Sequence, residues 1–405
     1  MPGSLLLVTH VPIKQSAEGL FIDDQTASGI EQWCKYFGQV TYIGIEDAVS
    51  SSAGSAQWVN IATRVGTQNC KLIALPNAYR VGTMLRSYKS VRQRLKQEIR
   101  EHDHLCFTIG GLVGDWPAIA GLEAIAQKRD YVAWIDRVEP EVIRSAMAGA
   151  SLKRRLKNTL ELPLMERYQR FLLSRSETAL LQGMATFKYF SSSAPNPRCI
   201  YDTHTTPADR ITPAELAGKL VRIRANAPLE IVYAGRAAAM KGTDDWLDVL
   251  TALHERGVPF RARWIGDGPE LSSMQTRVEN SPLKGKVVLS GFEADRQRLL
   301  GALHESDMLL FCHKTPESPR CLIEALVCGC PLVGYDSPYV SGLVANTGGA
   351  VVSVPDQVLA LATEIENLHL DRGRFASLVQ AAATSGLRYD EDTVYRHRAE
   401  FMMGA

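Results

Sequence analysis

The sequence is most informative between residues 231 and 335, where several short apolar segments each lead into a glycine. These segments are IVYAGRAAAMKG (231–242), RWIGDGPEL (263–271), VVLSGF (287–292) and SDMLLFCHKTPESPRCLIEALVCGCPLVGY (306–335). Each is typical of a β-strand that turns into a helix, and the series predicts a parallel sheet. Ligands of such sheets bind beyond the carboxyl ends of the strands. Arg236, Lys241, Glu317 and Glu324 follow those ends, and this set of charges favours a ligand with a diphosphate and hydroxyls.

The composition is that of an ordinary globular protein, since 45% of the 405 residues are hydrophobic and 22% are charged. The net charge of +1 gives no overall attraction to nucleic acid, and we expect no such partner. Eight cysteines are scattered through the chain, which favours a reducing cytoplasm. The segment MPGSLLLVTHVPIK predicts a core strand rather than a signal peptide, and no apolar run predicts a membrane-spanning helix.

Two series of apolar strands alternate with amphipathic stretches, which predicts an α/β chain with two Rossmann-like domains. The first series comprises SLLLVT, QVTYIGI, KLIALP, LCFTIG and YVAWID, and the second comprises LEIVYAG, FRARWIG, KVVLSG, MLLFC and PLVGYD. A segment rich in Pro, Ser and Thr separates them, SSSAPNPRCIYDTHTTPADRITP. We therefore expect domains at 1–210 and 211–390, with a cleft between them that holds a small molecule.

The turn after the strand at 231–234 carries the first candidate site. Gly235 allows a tight turn, Arg236 offers a planar fork of donors, and Lys241 offers a flexible ammonium, which together suit diphosphate oxygens. Two ordinary solvated cations are the alternative interpretation. Gly266 in the next turn permits close approach of backbone to a ligand, but such turns are also common joints of this architecture.

The segment that runs from Thr315 to Glu324 opens the helix CLIEALVCG, and a helix N-terminus at Cys321 and Leu322 favours phosphate. Glu324 lies one turn into that helix and could accept hydrogen bonds from sugar hydroxyls. The alternative is a carboxylate bound to local donors, because the apolar residues on both sides of Glu324 require it to have a partner.

This order of motifs resembles the second domain of GT-B glycosyltransferases, most closely the retaining family GT4, or glycosyl transferases group 1. The resemblance covers residues 229–340, and the first half is similar mainly in layout. It implies that Arg236 and Lys241 grip the donor diphosphate, that Glu324 binds the nucleotide ribose and that Glu317 contacts the donor sugar. It also implies that no metal cofactor is needed, and that contacts near Phe292 help to select the base and sugar.

The chain departs from the family pattern between the two glutamates. Six residues separate Glu317 from Glu324, whereas the family has seven, and the family spacing would fall on Pro316. Ser-Pro-Arg replaces the usual aromatic residue and glycine, so the loop has an altered shape and Arg320 becomes a candidate extra contact.

By the same resemblance the acceptor faces the first domain. His10, Lys14, Glu18 and Gly19 are expected in a loop that lines the cleft, and Asp136 is expected near the reacting carbon. For the first group a loop without a chemical role is an equal alternative, and for Asp136 the alternative is a helix cap. Asp23-Asp24 is interpreted as a helix N-cap rather than a metal ligand, and Asp202-Thr203-His204 as part of the domain junction.

Two basic amphipathic stretches offer possible membrane contacts. In the stretch Arg80–Arg100 apolar residues recur at helical spacing among cations, which is typical of a core-facing helix and also of one that docks on anionic lipid. The stretch LKRRLKNTLELPLMERYQRFLLSR (152–175) is a second candidate. The resemblance also implies that a last helix at 391–405 packs back on the first domain.

The function expected from these features is metal-independent, retaining transfer of a sugar from a nucleotide-sugar to a glycan, lipid-linked or small-molecule acceptor, at the cytoplasmic face of the membrane and in surface or exopolysaccharide synthesis. A sugar-nucleotide epimerase, a donor hydrolase and a non-catalytic subunit of the same fold are the alternatives. An epimerase would return an isomer of the donor without an acceptor, and a non-catalytic subunit would turn over no donor.

Overall fold

The structure is a computed structural model that describes residues 3–47, 58–145, 147, 151–315 and 318–404. The chain divides into two compact units, the first formed by residues 1–201 with 392–405 and the second by residues 202–391. Both units are α/β, as the alternation of apolar strands and amphipathic stretches predicts.

The first unit is built on one sheet with helices packed against it. Its strands are β1 (Ser4–Ser16), β2 (Gly19–Asp23), β3 (Gln39–Glu46), β4 (Trp58–Asn60), β5 (Cys70–Leu75), β6 (His104–Thr108), β7 (Val132–Ile135), β8 (Thr178–Gln182) and β9 (Pro197–Ile200). Its helices are α1 (Asp24–Tyr36), α2 (Val81–Glu101), α3 (Trp116–Ala126), α4 (Glu139–Ser145), α5 (Leu152–Arg175), α6 (Gly183–Phe190) and, from the end of the chain, α15 (Glu391–Met402).

The core strands of this sheet are parallel and run in the order β5-β3-β1-β6-β7-β8-β9. Buried apolar side chains cover both faces, in a cluster that includes Leu6, Val8 and Phe107 and another that includes Leu5, Leu7 and Trp33. Burial on both faces explains why these strands are apolar along their whole length. Asp23 accepts a hydrogen bond from the Thr26 amide at 2.9 Å, which confirms it as the N-cap of α1.

The second unit has a six-stranded parallel sheet in the order β12-β11-β10-β13-β14-β15. Its strands are β10 (Leu229–Ala234), β11 (Phe260–Ile265), β12 (Val287–Leu289), β13 (Met308–Phe311), β14 (Leu332–Tyr335) and β15 (Ala350–Ser353). Its helices are α7 (Pro213–Arg224), α8 (Thr243–Glu255), α9 (Leu271–Glu279), α10 (Arg296–Glu305), α11 (Arg320–Val327), α12 (Pro338–Val344), α13 (Val358–Leu370) and α14 (Arg372–Gly386). The strand order reverses between β10 and β13, so a ligand crevice is expected at their carboxyl ends.

The division between the units lies N-terminal to the boundary expected at Arg210. Residues 202–210 are bonded into the second unit: the Thr205 hydroxyl donates to the carbonyl of Tyr389 at 2.7 Å, and Arg210 donates to Asp390 at 3.0 Å. These hydrogen bonds join residues that are far apart in the sequence. A boundary predicted from a local change in composition cannot take them into account.

Helix α15 is part of the first unit apart from its first residue. The ring of Tyr395 packs edge-on against Trp33 with centroids 4.8 Å apart, and Arg398 donates to the carbonyl of Tyr201 at 2.8 Å. Among the described residues, no helix combines the length and the apolar character that crossing a bilayer requires.

Candidate functional site

The turns that follow β10, β11 and β12 form one edge of the second sheet. Gly235 donates to the carbonyl of Ile265 at 2.9 Å, and Gly266 donates to the carbonyl of Gly291 at 2.8 Å. A Cβ at Gly266 would lie 2.0 Å from the Gly235 carbonyl oxygen, so only glycine allows the two turns to approach this closely. Phe292 follows Gly291 and is exposed. The structure thus brings Gly235, Gly266 and Phe292 to one edge of the sheet.

The loop after β10 carries the two expected cations. Arg236 is exposed and Lys241 is half-buried. The helix that follows, α8, begins after Gly242 in the left-handed conformation with φ of 69°, not after a side-chain cap at Thr243 or Asp244. A Cβ at Gly242 would lie 1.9 Å from the carbonyl oxygen of Cys312, so this loop packs tightly on the segment that follows β13.

A half-buried histidine lies next to this loop. The ring nitrogen Nε2 of His313 lies 2.8 Å from the Tyr233 hydroxyl. Burial and, secondarily, the charge of Lys241 lower the pKa of His313 to about 3. His313 is therefore neutral at physiological pH and adds no charge beside Lys241. Sequence reasoning did not single it out, because its burial depends on packing with Tyr233.

Helix α11 begins at Arg320, directly after Pro319, whose side chain makes no capping bond to the helix. The Arg320 Nε lies 3.2 Å from the Asp202 carboxylate, so this cation is paired with the start of the second unit. Cys321 is half-buried, whereas the Leu322 side chain is buried in the core. Because the side chain of Leu322 is buried, the expected contact with a ligand phosphate can be made only by the Leu322 backbone. Glu317 and the neighbouring Pro316 lie outside the described residues.

Glu324 has the partner that its apolar surroundings require. Arg296, the first residue of α10, donates from Nη1 to Glu324 Oε1 at 3.0 Å, and its Nη2 donates to the carbonyl oxygen of His204 at 3.1 Å. Asp209 lies 3.5 Å from the same Nη2. Sequence analysis missed Arg296, because nothing in the local pattern connects it to a residue in a later helix.

His10 and Lys14 lie on β1 rather than in the expected loop, whereas Glu18 lies in the turn that precedes β2. Strand β1 continues through His10 and Lys14 to Ser16, past a bulge, and turns back at Glu18 and Gly19 into the antiparallel β2. The expectation of a loop was wrong for His10 and Lys14, because the strand resumes its pairing with β3 at Pro12 and Ile13 after the bulge. Ala17 and Glu18 form the hairpin turn, and Gly19, with φ of 123°, begins β2.

The side chains of this hairpin differ in their surroundings. Lys14 Nζ lies 3.8 Å from the centroid of the Trp58 ring, and Glu18 is exposed. His10 lies between two residues that sequence analysis did not identify: its Nδ1 is 3.4 Å from the Tyr79 hydroxyl, and its Nε2 is 3.5 Å from the Asp115 carboxylate.

Asp115 caps α3 and organises the glycine turn after β6. Its buried carboxylate accepts hydrogen bonds from the amides of Gly110 and Ala118, each at 2.9 Å. Asp115 therefore has a structural role, and it also lies beside His10. Asp136 directly follows β7 and is exposed. No group of three or more metal-binding side chains occurs among the residues that the structure describes.

Comparison with known proteins agrees with this geometry. Residues 223–384 match the family model described as Glycosyl transferases group 1. A GDP-mannose-dependent alpha-(1-6)-phosphatidylinositol dimannoside mannosyltransferase of Mycobacterium tuberculosis is 27% identical over 32% of this chain and 33% of its own length. A 2-deoxystreptamine N-acetyl-D-glucosaminyltransferase of Streptomyces fradiae is 32% identical over 40% of this chain and 39% of its own length.

The similarity to solved structures extends over the whole chain. HepE of Anabaena, solved in complex with UDP, has a TM-score of 0.69 and 16% identity, with 99% of this chain and 100% of that chain covered. The alignments to the curated relatives, by contrast, span only about a third of the first relative's length. The chain therefore has the GT-B fold, and its segment 223–384 is similar to the family described as Glycosyl transferases group 1.

Proposed function

We propose that this protein is a glycosyltransferase that moves a sugar from a nucleotide-sugar to a glycan, lipid-linked or small-molecule acceptor with retention of configuration. The observation that carries the proposal is the placement of Arg236 and Lys241 on the turn after β10, at the reversal of strand order, within the segment that matches the family. Ligands of open parallel sheets bind at this position.

A nucleotide-sugar donor is supported by the relatives. HepE has been solved with UDP and with UDP-glucose, and the mycobacterial relative is named as GDP-mannose-dependent. The named acceptors of the relatives include a phosphoinositide glycolipid and an aminocyclitol, which leaves the acceptor class open for this chain. A role in bacterial surface or exopolysaccharide synthesis, at the cytoplasmic face of the membrane, belongs to the same proposal.

The chemistry is stabilisation of the departing diphosphate. Arg236 and Lys241 neutralise its charge, and backbone N–H groups at the start of α11 add a positive dipole end. Glu324, oriented by Arg296, accepts hydrogen bonds from the ribose. The roles that the resemblance implies for Glu317, at the donor sugar, and for Asp136, near the reacting carbon, belong to the same proposal. These cations take the role that a metal would have, so we expect the transfer rate to be unchanged by EDTA.

Donor binding tests the proposal. Wild-type protein is titrated with UDP-, GDP- and ADP-sugars by ligand-observed NMR, beside the double variant Arg236→Ala/Lys241→Ala. Loss of two charge-assisted bonds should weaken binding about a hundredfold or more. The matched control is Arg261→Ala/Lys284→Ala, which removes two exposed cations of the same unit. A folded double variant with wild-type affinity would contradict the proposed site.

Turnover separates the proposal from its alternatives. The product should form only when an acceptor is present, and NMR of its anomeric proton should report the configuration of the donor. An isomerised donor without acceptor would identify an epimerase. Donor binding without turnover of any acceptor would identify a non-catalytic protein.

A further inference from the structure

The first turns of α5 lie almost wholly in solvent, although they are rich in leucine. Leu152, Leu156, Leu160 and Leu164 recur every four residues and are 82%, 68%, 66% and 58% exposed. The first buried leucine of the helix is Leu162. A contiguous exposed apolar stripe of this kind marks an interaction surface. We call these four leucines the α5 stripe.

The α5 stripe differs from the apolar face of the other basic helix. In α2 the residues Val91, Leu95 and Ile99 are buried in the core of the first unit, and exposed apolar residues are confined to its start, at Val81 and Leu85. The amphipathic pattern of α2 is therefore largely explained by packing within the unit. The same explanation does not account for the α5 stripe.

Cations flank the α5 stripe on both sides. At about 100° per residue, Arg155 and Lys157 project about 100° to either side of Leu156. Both are exposed, as is Arg154. The sequence from 152 to 164, LKRRLKNTLELPL, contains four cations and one carboxylate, that of Glu161, whose Oε1 lies 3.6 Å from Lys157 Nζ, so a net positive charge remains. Arg and Lys in such positions extend their charged ends towards headgroups while their stems cover apolar surface.

We propose that the α5 stripe docks the protein on the surface of an anionic bilayer. The helix would lie in the plane of the interface over a length of about 18 Å, with leucines at the boundary of the acyl chains and Arg155 and Lys157 among anionic headgroups. The exposed first turns of α5 gain little stability from their own hydrogen bonds in water. Burial of the α5 stripe in the interface would stabilise them.

Charge complementarity favours a lipid surface over a second copy of this chain. Two copies that met through residues 152–160 would bring clusters of like charge together, which is unfavourable. An anionic bilayer offsets the same charges, and each cation near its surface strengthens binding about fivefold at low salt. The proposal does not depend on the glycosyltransfer reaction.

Vesicle flotation tests the proposal on the full-length protein. The vesicles contain equal parts of phosphatidylcholine and phosphatidylglycerol, with pure phosphatidylcholine for comparison. The wild type should float with the anionic vesicles, and Leu156→Glu/Leu160→Glu should bind at least tenfold more weakly. The matched control is Leu359→Glu/Leu370→Glu, which alters two exposed leucines of α13 and should bind as the wild type does.

The contribution of the cations to binding and the folding of the variants are tested separately. Arg155→Gln/Lys157→Gln should weaken binding to anionic vesicles at low salt, with the difference narrowing as salt is added. All variants change exposed side chains, and far-UV circular dichroism with thermal unfolding verifies that they are folded.

Three results would overturn the proposal. One is a wild-type protein that does not float with anionic vesicles. Another is a lipid-free dimer, seen by analytical ultracentrifugation, that dissociates in Leu156→Glu/Leu160→Glu, because it would assign the α5 stripe to self-association. The third is loss of vesicle binding in Val81→Glu/Leu85→Glu with binding retained in Leu156→Glu/Leu160→Glu, since it would assign the contact to α2.

Discussion

At the scale of single residues, the pair formed by Arg296 and Glu324 connects packing with donor recognition. Glu324 is mostly buried between apolar neighbours and depends on Arg296 for an ionic partner, with 3.0 Å between Nη1 and Oε1. Because one carboxylate oxygen is engaged in this way, the orientation of the other is fixed as well. Arg296 is thus a positioning residue for the proposed ribose contact.

Substitution of Arg296 should therefore affect both stability and binding. In Arg296→Gln we expect a loss of about 1–2 kcal/mol in the free energy of unfolding, since the arginine is partly exposed, and a weaker donor affinity. Denaturant unfolding and donor titration measure the two effects. Arg298→Gln is the matched control, because this exposed arginine of the same helix is paired with its neighbour Asp295 and not with Glu324. Donor affinity equal to that of the wild type would show that Arg296 does not orient Glu324.

His313 makes stability depend on pH. Its folded pKa of about 3 lies below the ordinary value of 6.5, so the unfolded chain binds the additional proton as pH falls. The free energy of unfolding should fall from pH 6.5 towards pH 3, by about 1.4 kcal/mol per pH unit for this one group. Urea unfolding of His313→Asn should show a shallower pH dependence over that window. His397→Asn, at an exposed position, should leave the dependence unchanged, and equal slopes in all three proteins would refute the assignment.

At the scale of elements, the glycine turns at the carboxyl ends of β10 and β11 are the least tolerant part of the second sheet. Gly266→Ala would place a methyl group 2.0 Å from the Gly235 carbonyl at a φ of 149°. We expect it to lower the free energy of unfolding by about 1–3 kcal/mol and to weaken donor binding, because the two turns must separate.

The control for this turn is Gly301→Ala within α10, where the added methyl group would meet no described atom within 4 Å apart from its own helix backbone and chain neighbours. Alanine is favoured over glycine in a helix by about 0.5–1 kcal/mol, so this variant should be slightly more stable than the wild type. Thermal unfolding and donor titration compare the two variants. A Gly266→Ala protein as stable and as active as the wild type would show that the turns adjust without cost.

The elements also show what the sequence can and cannot predict. Two α/β units with parallel sheets were predictable, since apolar strands and glycine turns recur along the chain, whereas the GT-B fold was expected from the resemblance to a family. The Arg236 and Lys241 turn is local enough to be recognised. The hairpin of β1 and β2 was missed, because its strand continues through a bulge beside Pro12. Arg296, Asp115 and His313 were missed for another reason: their significance comes from contacts with residues distant in sequence.

At the scale of the whole molecule, the chain leaves the first unit after Tyr201 and returns to it at Asp392. Tyr395 and Met402 contribute to the same buried cluster as Trp33 and Ile30 of α1. The first unit is therefore assembled from two separate segments of the chain, whereas the second is one continuous segment.

Removal of a buried side chain from α15 should destabilise the first unit selectively. For Tyr395→Ala we expect a loss of about 3–5 kcal/mol, seen in calorimetry as a lower melting temperature for one transition. Arg396→Ala, at the neighbouring exposed position, should leave both transitions in place. An isolated fragment 202–391 identifies the transition of the second unit. If Tyr395→Ala lowers the melting temperature of that transition, the assignment of α15 to the first unit is incorrect.

The return of α15 to the first unit sets the order in which the protein matures during synthesis. Residues 202–391 form one continuous compact unit and are complete once they have left the ribosome. The first unit is translated earlier, yet its cluster around α1 lacks Tyr395, Ala399 and Met402 until α15 has been made. The unit whose translation starts earlier is thus completed by residues that are translated after the second unit, and a nascent chain that stops before Tyr395 leaves part of the apolar surface of α1 exposed.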